Sequence, residues 1–205
     1  AASDVYKRQF VYRIPMANIL GNTGNGIYSV AFGIYGIVLT LSSYSMPISV
    51  SKLVSEKAAV GSKEDSIKVF RVAMLVSVIV GALAAIGLYF GADGLAGVYN
   101  KTGLEMPLKV LAPTTFIVSV LGCFRGYFQG YGNMVPTALS QIIEQIINAV
   151  VSIIAAGQIT VLIIGSNNEA ALRAMGGTMG TCAGAMAALV LSLIHISEPT
   201  RLLSI

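Results

Sequence analysis

Residues Ile14 to Ser51 read IPMANILGNTGNGIYSVAFGIYGIVLTLSSYSMPISVS and include no charged side chain. A helix needs about 20 predominantly apolar residues to cross the hydrocarbon core of a bilayer. The stretch therefore exceeds one membrane span, and its Gly- and Asn-rich segment Gly21–Gly26 divides it. We predict the end of one span before this segment and a full span over about Ile27–Ser49.

Four further apolar segments of similar length follow along the chain. They cover about Val69–Phe90, Met106–Phe128, Thr137–Ile164 and Ala171–Val190. Backbone polar groups that lie in lipid must be satisfied within their own segment, which forces such spans to be helical. The sequence therefore predicts an all-α polytopic membrane protein with about five to six transmembrane helices.

The composition excludes a water-soluble domain. Hydrophobic residues make up 55% of the chain and charged residues only 11%, whereas soluble domains carry about 25% charged residues. The formal charge of +4 lies mostly in one segment, and no basic stripe alternates with aromatic residues. We therefore expect membrane lipid as the surrounding partner and no nucleic acid.

The strongly charged segment 51–71, SKLVSEKAAVGSKEDSIKVFR, separates two of the predicted spans. Short basic loops stay in the cytoplasm. The pattern predicts a cytoplasmic loop over 51–71 in a multi-pass protein of the cell membrane (inner or plasma membrane). It also predicts that Gly21–Gly26 and Asp93–Lys101 lie outside and that Arg125–Asn133 lies inside.

Both ends of the chain can be encoded by one DNA adapter of the kind used in short-read sequencing libraries. The codons GAT GTG TAT AAG AGA CAG specify Asp4–Gln9, and their reverse complement specifies Leu191–Ile196. Segments of this origin are excluded from fold reasoning. We expect residues 1–9 and 191–205 to be adapter-derived. Residues 10–190 are then a transmembrane bundle that is incomplete at both ends. Because His195 lies in an adapter-derived segment, we assign no function to it.

One predicted span carries a stripe of polar residues. Gln141, Glu144, Gln145 and Asn148 recur at spacings of three and four, which places them on one face of a helix. An ionisable group within a span costs about 2.5–3.5 kcal/mol on insertion scales and needs a reason. The stripe either lines a cavity that contacts a polar headgroup or coupling ion, or forms hydrogen bonds to a neighbouring helix.

Two arginines are further candidates for the same cavity. Arg125 lies in GCFRGYFQG near the predicted cytoplasmic end of its span, where it can bind phosphate through its planar donors or extend to the interface. Arg13 directly precedes the first uncharged run.

In the last span, Gly177, Thr181 and Ala185 stand four residues apart, which favours close helix packing.

No pattern typical of an enzyme occurs between residues 10 and 190. This segment lacks histidine, paired intramembrane acids, a nucleophile elbow and a phosphate-binding glycine loop. Cys123 and Cys182 do not have the spacing of metal ligands. We therefore expect no catalytic residue, no metal site and no cofactor, with a coupling ion or the membrane potential as the open question.

Two long segments resemble a known family. GNTGNGIYSVAFGIYGIVLTLSSYSMPISVSKLVSEKAAVG, residues 21–61, is similar to the second-span region of the stage V sporulation protein B-like polysaccharide flippases. LAPTTFIVSVLGCFRGYFQGYGNMVPTALSQIIEQIINAV, residues 111–150, resembles the fourth and fifth spans of that family. The chain departs from it at LSSYSMP, where relatives often carry glycine before the proline.

The resemblance implies membership of the multidrug/oligosaccharidyl-lipid/polysaccharide exporter (MATE-like) superfamily. The chain would then be most of an N-terminal helical bundle, with a C-terminal bundle of the same protein as its partner. A lipid-linked saccharide would be the cargo, and Arg13 would supply positive charge to the cavity.

Two other functions stay open. A cation-coupled multidrug exporter of the same fold would use Glu144 as its ion site. A non-transporting membrane scaffold would have no solvated cavity and would hold Glu144 against another helix.

Overall fold

The computed structural model describes residues 2–162 and 168–197, with side chains over 15–162 and 168–196. These residues form six helices: α1 Ala2–Ser42, α2 Ser45–Ala59, α3 Lys63–Val98, α4 Glu105–Gly130, α5 Val135–Leu162 and α6 Glu169–Ser197. Five stretches of them are long and apolar enough to cross a membrane: Pro15–Ala59, Lys63–Val98, Glu105–Gly130, Val135–Leu162 and Glu169–Ile196. The predicted all-α polytopic architecture is confirmed, although the end of the fifth predicted span lies outside the described residues.

Helix α1 is kinked at Gly21. This residue has φ 65° and ψ 178°, a backbone conformation that favours glycine. Met16 and Tyr28, on opposite sides of the break, both face Gly177 of α6, where an added Cβ would lie 2.6 Å and 3.1 Å from their side chains. Residues this far apart would be separated by about 18 Å along a straight helix. The predicted division of the first apolar run is thus made by the single residue Gly21.

The charged segment 51–71 is mostly helical, and its prediction as a loop was wrong. Helix α2 begins at Ser45 after an interruption at Ser43 and Tyr44, and it continues to Ala59. Pro47 lies in the first turn of α2, where its missing N–H costs no helical hydrogen bond. Charged side chains on α2 point away from the bundle while Val50 and Val54 are buried, so an amphipathic helix fits this sequence better than a loop.

Three of the helices end in the same motif. Gly61, Asn100 and Gly132 have positive φ values of 78°, 48° and 76° just after α2, α3 and α4. After α3, Asn100 N–H donates to the Gly97 carbonyl at 3.1 Å and Lys101 N–H donates to the Ala96 carbonyl at 3.1 Å. This is the Schellman pattern, which satisfies carbonyls at a helix end. The motif makes the connections short and fixes the direction in which each chain segment leaves its helix.

Helix α4 is the centre of the bundle. About 61% of its most apolar stretch is buried, against 11% in α3 and in α5, and it packs against α1, α2, α3, α5 and α6. Gly122, Gly126 and Gly130 form a groove on α4 that receives α2. A Cβ on Gly126 would lie 2.8 Å from the Pro47 carbonyl oxygen, and one on Gly130 would lie 2.6 Å from Val54 Cβ. Small residues at spacing four allow this close approach of two backbones.

A second glycine groove joins α6 to α5. Added Cβ atoms on Gly176, Gly180 and Gly184 would collide with the backbone of α5 at Ala156, Asn148 and Glu144, respectively. The close packing predicted for α6 is present, but its closest approach is shifted by one residue from the predicted series that begins at Gly177. That glycine faces α1 instead.

Large apolar side chains cover the outside of the bundle. Soluble monomers rarely expose contiguous apolar patches of this kind, so this surface is suited to lipid and to other membrane helices. On α3 the exposed residues include Val72, Leu75, Ile79, Leu83, Ile86 and Phe90. On α5 they include Ile142, Ile146, Val150 and Ile154. The chain is a multi-pass membrane protein.

Replacing Gly126 by alanine should destabilise the bundle by about 1–3 kcal/mol, because the new methyl group overpacks the α2–α4 groove. The matched control is Gly87→Ala on α3, where no atom lies within 4 Å of the added Cβ. Thermal unfolding of the complete protein in mild detergent measures the difference. Equal melting temperatures for the two variants would contradict the proposed groove.

Candidate functional site

An ion pair joins α4 to α5 inside the bundle. Arg125 Nη2 lies 2.5 Å from Glu144 Oε2, and the two side chains are only 14% and 18% exposed. Arg125 lies five residues before the end of α4, which corresponds to about 7.5 Å along the helix axis. Its guanidinium is directed at a carboxylate on the next helix rather than extended to the interface. The negative charge of Glu144 within the apolar span is thus compensated by Arg125.

Residues of the first turns of α5 hold the arginine in place. Arg125 Nε donates to Ser140 Oγ at 3.2 Å, and Ser140 Oγ donates to the Thr137 carbonyl at 2.8 Å. Ser140 is completely buried. Charge-assisted hydrogen bonds of this kind are stronger than neutral ones. The arginine is therefore held by two groups on one face of α5.

Asn148 belongs to a separate polar contact between α5 and α6. Its Oδ1 accepts from Ser152 Oγ at 3.0 Å and from Thr181 Oγ1 at 3.4 Å. The Ser152 hydroxyl is also 2.7 Å from the Gly177 carbonyl, so its single proton has two acceptors. These bonds lie beside the α6 glycine groove, and they fix the register of the two helices.

The predicted polar stripe on α5 therefore divides into two parts. Glu144 and Asn148 face neighbouring helices, whereas Gln141 and Gln145 are exposed on the surface of the bundle. An exposed amide within a span needs either water or a further protein surface as its partner. The two glutamines are the part of the stripe that remains suited to a cavity.

The side chain of Arg13 lies outside the described residues. The backbone places Arg13 in α1, in the turn before Pro15. Its predicted role in the cavity stays a prediction.

A second partly buried arginine, Arg173, was missed in the sequence. It pairs with Glu169 one turn earlier on α6, and its Nη1 donates to the Ile19 carbonyl at 3.2 Å. That carbonyl lies two residues before Gly21, where the backbone leaves helical φ/ψ angles. The side chain is 23% exposed. The spacing of Glu169 and Arg173, four residues apart at the start of a predicted span, was the available signal.

Metal ligands do not cluster in the part of the chain that the structure describes: no group of three or more His, Cys, Asp or Glu side chains could hold an ion. Cys123 is buried and its thiol lies 3.9 Å from the Phe70 carbonyl, while Cys182 is partly buried, and both are free thiols. Neither cysteine contributes to the polar contacts described above.

These features define a class: a multi-pass α-helical membrane protein whose tightly packed spans enclose ionic and polar contacts. The particular family follows from sequence similarity. The chain belongs to the polysaccharide biosynthesis protein family, whose model matches residues 4–196.

Three proteins of Bacillus subtilis (strain 168) are similar to the chain. The lipid II flippase MurJ is 30% identical over 195 residues, which cover 90% of this chain and 35% of MurJ. Stage V sporulation protein B is 28% identical over 182 residues, which cover 88% of this chain and 34% of that protein. The uncharacterized membrane protein YabM is 31% identical over 141 residues, or 69% of this chain and 26% of YabM. No solved structure gives a significant match.

The chain thus spans about a third of the length of the first two relatives. The fold and the family are properties of this segment. Activity, substrates and partners belong to the complete protein.

Replacing either Arg125 or Glu144 by glutamine should cost about 1–3 kcal/mol of unfolding free energy, because each single change leaves a partly buried charge without its partner. The double variant should lose less than the sum of the two single losses. Unfolding of the complete protein in detergent, arranged as a double-mutant cycle, measures the coupling.

The control cycle uses Lys109 and Asp93, an ion pair at 2.9 Å whose side chains are 36% and 66% exposed. Exposed pairs contribute about 0–1 kcal/mol. A coupling between Arg125 and Glu144 no larger than that of the control pair would contradict the internal contact.

Proposed function

We propose that the complete protein is a flippase that moves a lipid-linked oligosaccharide or polysaccharide precursor across the cell membrane for envelope biosynthesis. The observation that carries the proposal is the match of nearly the whole chain to the polysaccharide biosynthesis protein family, together with 30% identity to a lipid II flippase over 90% of the chain. The five apolar helices supply the membrane bundle that such transport needs. No reaction chemistry is required of the protein.

The charge at Glu144 bears on the choice between transport mechanisms. A cation-coupled exporter needs an intramembrane acid that is free to bind a proton or sodium ion. Glu144 is neutralised by Arg125 at 2.5 Å, which favours a positioning role over an ion site. A non-transporting scaffold would also hold Glu144 against another helix, so this contact does not separate a flippase from a scaffold. A transport measurement does separate them.

The cavity in this proposal is formed with a C-terminal bundle of the same protein. Arg13 supplies a cation for the anionic headgroup, and Gln141 and Gln145 supply exposed amides on the predicted cavity side. Arg125 and Glu144 hold α4 against α5 behind that surface. The saccharide headgroup crosses within the cavity while its lipid chain stays in the bilayer.

The first test is transport by the purified complete protein in liposomes. We expect a fluorescent lipid-linked disaccharide to exchange between leaflets faster than in protein-free liposomes, as measured by an impermeant quencher. Arg13→Ala should slow the exchange, and Arg13→Lys should restore part of it. Lys63→Ala, at the exposed start of α3, is the control that leaves transport unchanged.

The outcomes separate the three functions. Export of a hydrophobic cationic dye against an imposed sodium or proton gradient, without movement of the disaccharide, would overturn the flippase in favour of the exporter. Absence of both activities from a folded protein would favour the scaffold.

We further propose that the turn between α2 and α3 is cytoplasmic, as its basic flanks predict. Val60→Cys in this turn and Val98→Cys at the end of α3 report the two sides, since the native residues are 82% and 77% exposed. An impermeant maleimide added to intact cells should label the second variant and not the first. Labelling of Val60→Cys alone would show that the turn between α2 and α3 lies outside the cell and would contradict the proposed topology.

A further inference from the structure

Two Gly- and Asn-rich segments of the sequence meet at one end of the bundle, away from the Arg125–Glu144 pair. The segment after the break in α1 and the turn between α3 and α4 together line a cleft of about 250 Å³. Its polar side chains are Asn22 and Thr23 from α1 and Asn100, Lys101 and Thr102 from the turn. By the predicted topology this is the outer end of the bundle, opposite the turn after α2.

Contacts on both sides hold the turn that carries the lysine. Asn100 is in the left-handed region with φ 48° as part of the Schellman motif that ends α3. Gly103 has φ 88° and lies so close to Ala171 of α6 that a side chain could not fit there. The Gly103 N–H donates to Glu105 Oε2 at 3.0 Å. These contacts hold the chain on both sides of Lys101 and Thr102.

Lys101 extends over a glycine of α1. A Cβ on Gly26 would lie 3.3 Å from Lys101 Nζ, so glycine leaves the space that the ammonium group occupies. Within the described ranges no carboxylate lies at salt-bridge distance from Lys101. The neighbouring acids are engaged, because Asp93 pairs with Lys109 at 2.9 Å and Glu105 accepts from the turn. The lysine thus presents an uncompensated positive charge to the cleft.

The chemistry of this cleft fits a phosphate group. Lysine binds phosphate as a point charge, and the two amides and two hydroxyls beside it can donate hydrogen bonds to phosphate oxygens or accept them from sugar hydroxyls. The cleft is smaller than the roughly 300–1,000 Å³ of a drug-sized site, which suits one phosphate or one sugar ring.

We propose that this cleft binds the phosphate of a lipid headgroup at the outer membrane surface. The choice of a lipid-linked saccharide as the source of that phosphate rests on the proposed function. An anionic phospholipid of the same leaflet offers the same chemistry, so the test includes both sources.

The experiment titrates the complete protein in an uncharged, phosphate-free detergent with two probes and reads bound lipid by native mass spectrometry. The probes are a short-chain prenyl pyrophosphate disaccharide and phosphatidylglycerol. Lys101→Gln should lower the affinity for a bound probe about tenfold, as expected for the loss of one charge-assisted hydrogen bond. Gly26→Ala should also weaken binding, because it displaces the ammonium group without changing the charge.

Lys52→Gln is the matched control, since it makes the same charge change on the exposed face of α2 at the other end of the bundle. Melting temperatures of all variants confirm that each is folded. Equal loss of affinity in Lys101→Gln and Lys52→Gln, or no effect of either, overturns the cleft as a phosphate site.

The experiments distinguish failure of the phosphate-site proposal from failure of the proposed function. Disaccharide transport by a wild-type protein whose binding does not depend on Lys101 overturns only the cleft. Lys101-dependent binding of phosphatidylglycerol by a protein that transports no disaccharide supports the cleft and overturns the flippase.

Discussion

Hydrocarbon cannot hydrogen-bond a peptide group, and the structure follows from that constraint. Each apolar segment becomes a helix because only a helix satisfies its own backbone. Lipid also removes the hydrophobic advantage of burying leucine, so helices associate where their backbones can approach closely. The glycine grooves of α4 and α6 provide that approach, with Pro47 and Val54 seated in one groove and the backbone of α5 in the other. The large apolar side chains are left to face outward.

The same constraint explains where charge and polarity occur. Arg125 and Arg173 each lie against a glutamate, and Arg173 also bonds a carbonyl beside the break in α1. The hydroxyls of Ser152 and Thr181 bond to Asn148, and the Ser140 hydroxyl bonds to a carbonyl of its own helix. Exposed polar side chains occur at the cleft around Lys101 and on the glutamine face of α5. In the proposed function, these two regions are where the protein contacts a polar headgroup.

Sequence reasoning predicted the spans because their length and apolarity are local properties. It also found Glu144, since a charge in a span is visible without a structure, but its partner 19 residues away depends on how α4 and α5 pack. The loop assigned to 51–71 was wrong because charge was given more weight than the buried spacing of Val50 and Val54. The α4 glycines stood four apart in GCFRGYFQG, yet only the packing shows that they receive α2. The adapter boundaries at residues 9 and 190 stay predictions.

The apolar surface of this bundle must be solvated by lipid. The direct measurement is extraction of segment 10–190 from cell membranes, first with alkaline carbonate and then with mild detergent. We expect the segment to remain in the membrane pellet under carbonate and to dissolve only with detergent, because its exposed isoleucine and phenylalanine side chains cannot face water at this density. A segment that dissolves in buffer without detergent as a folded monomer would show that this surface does not need lipid.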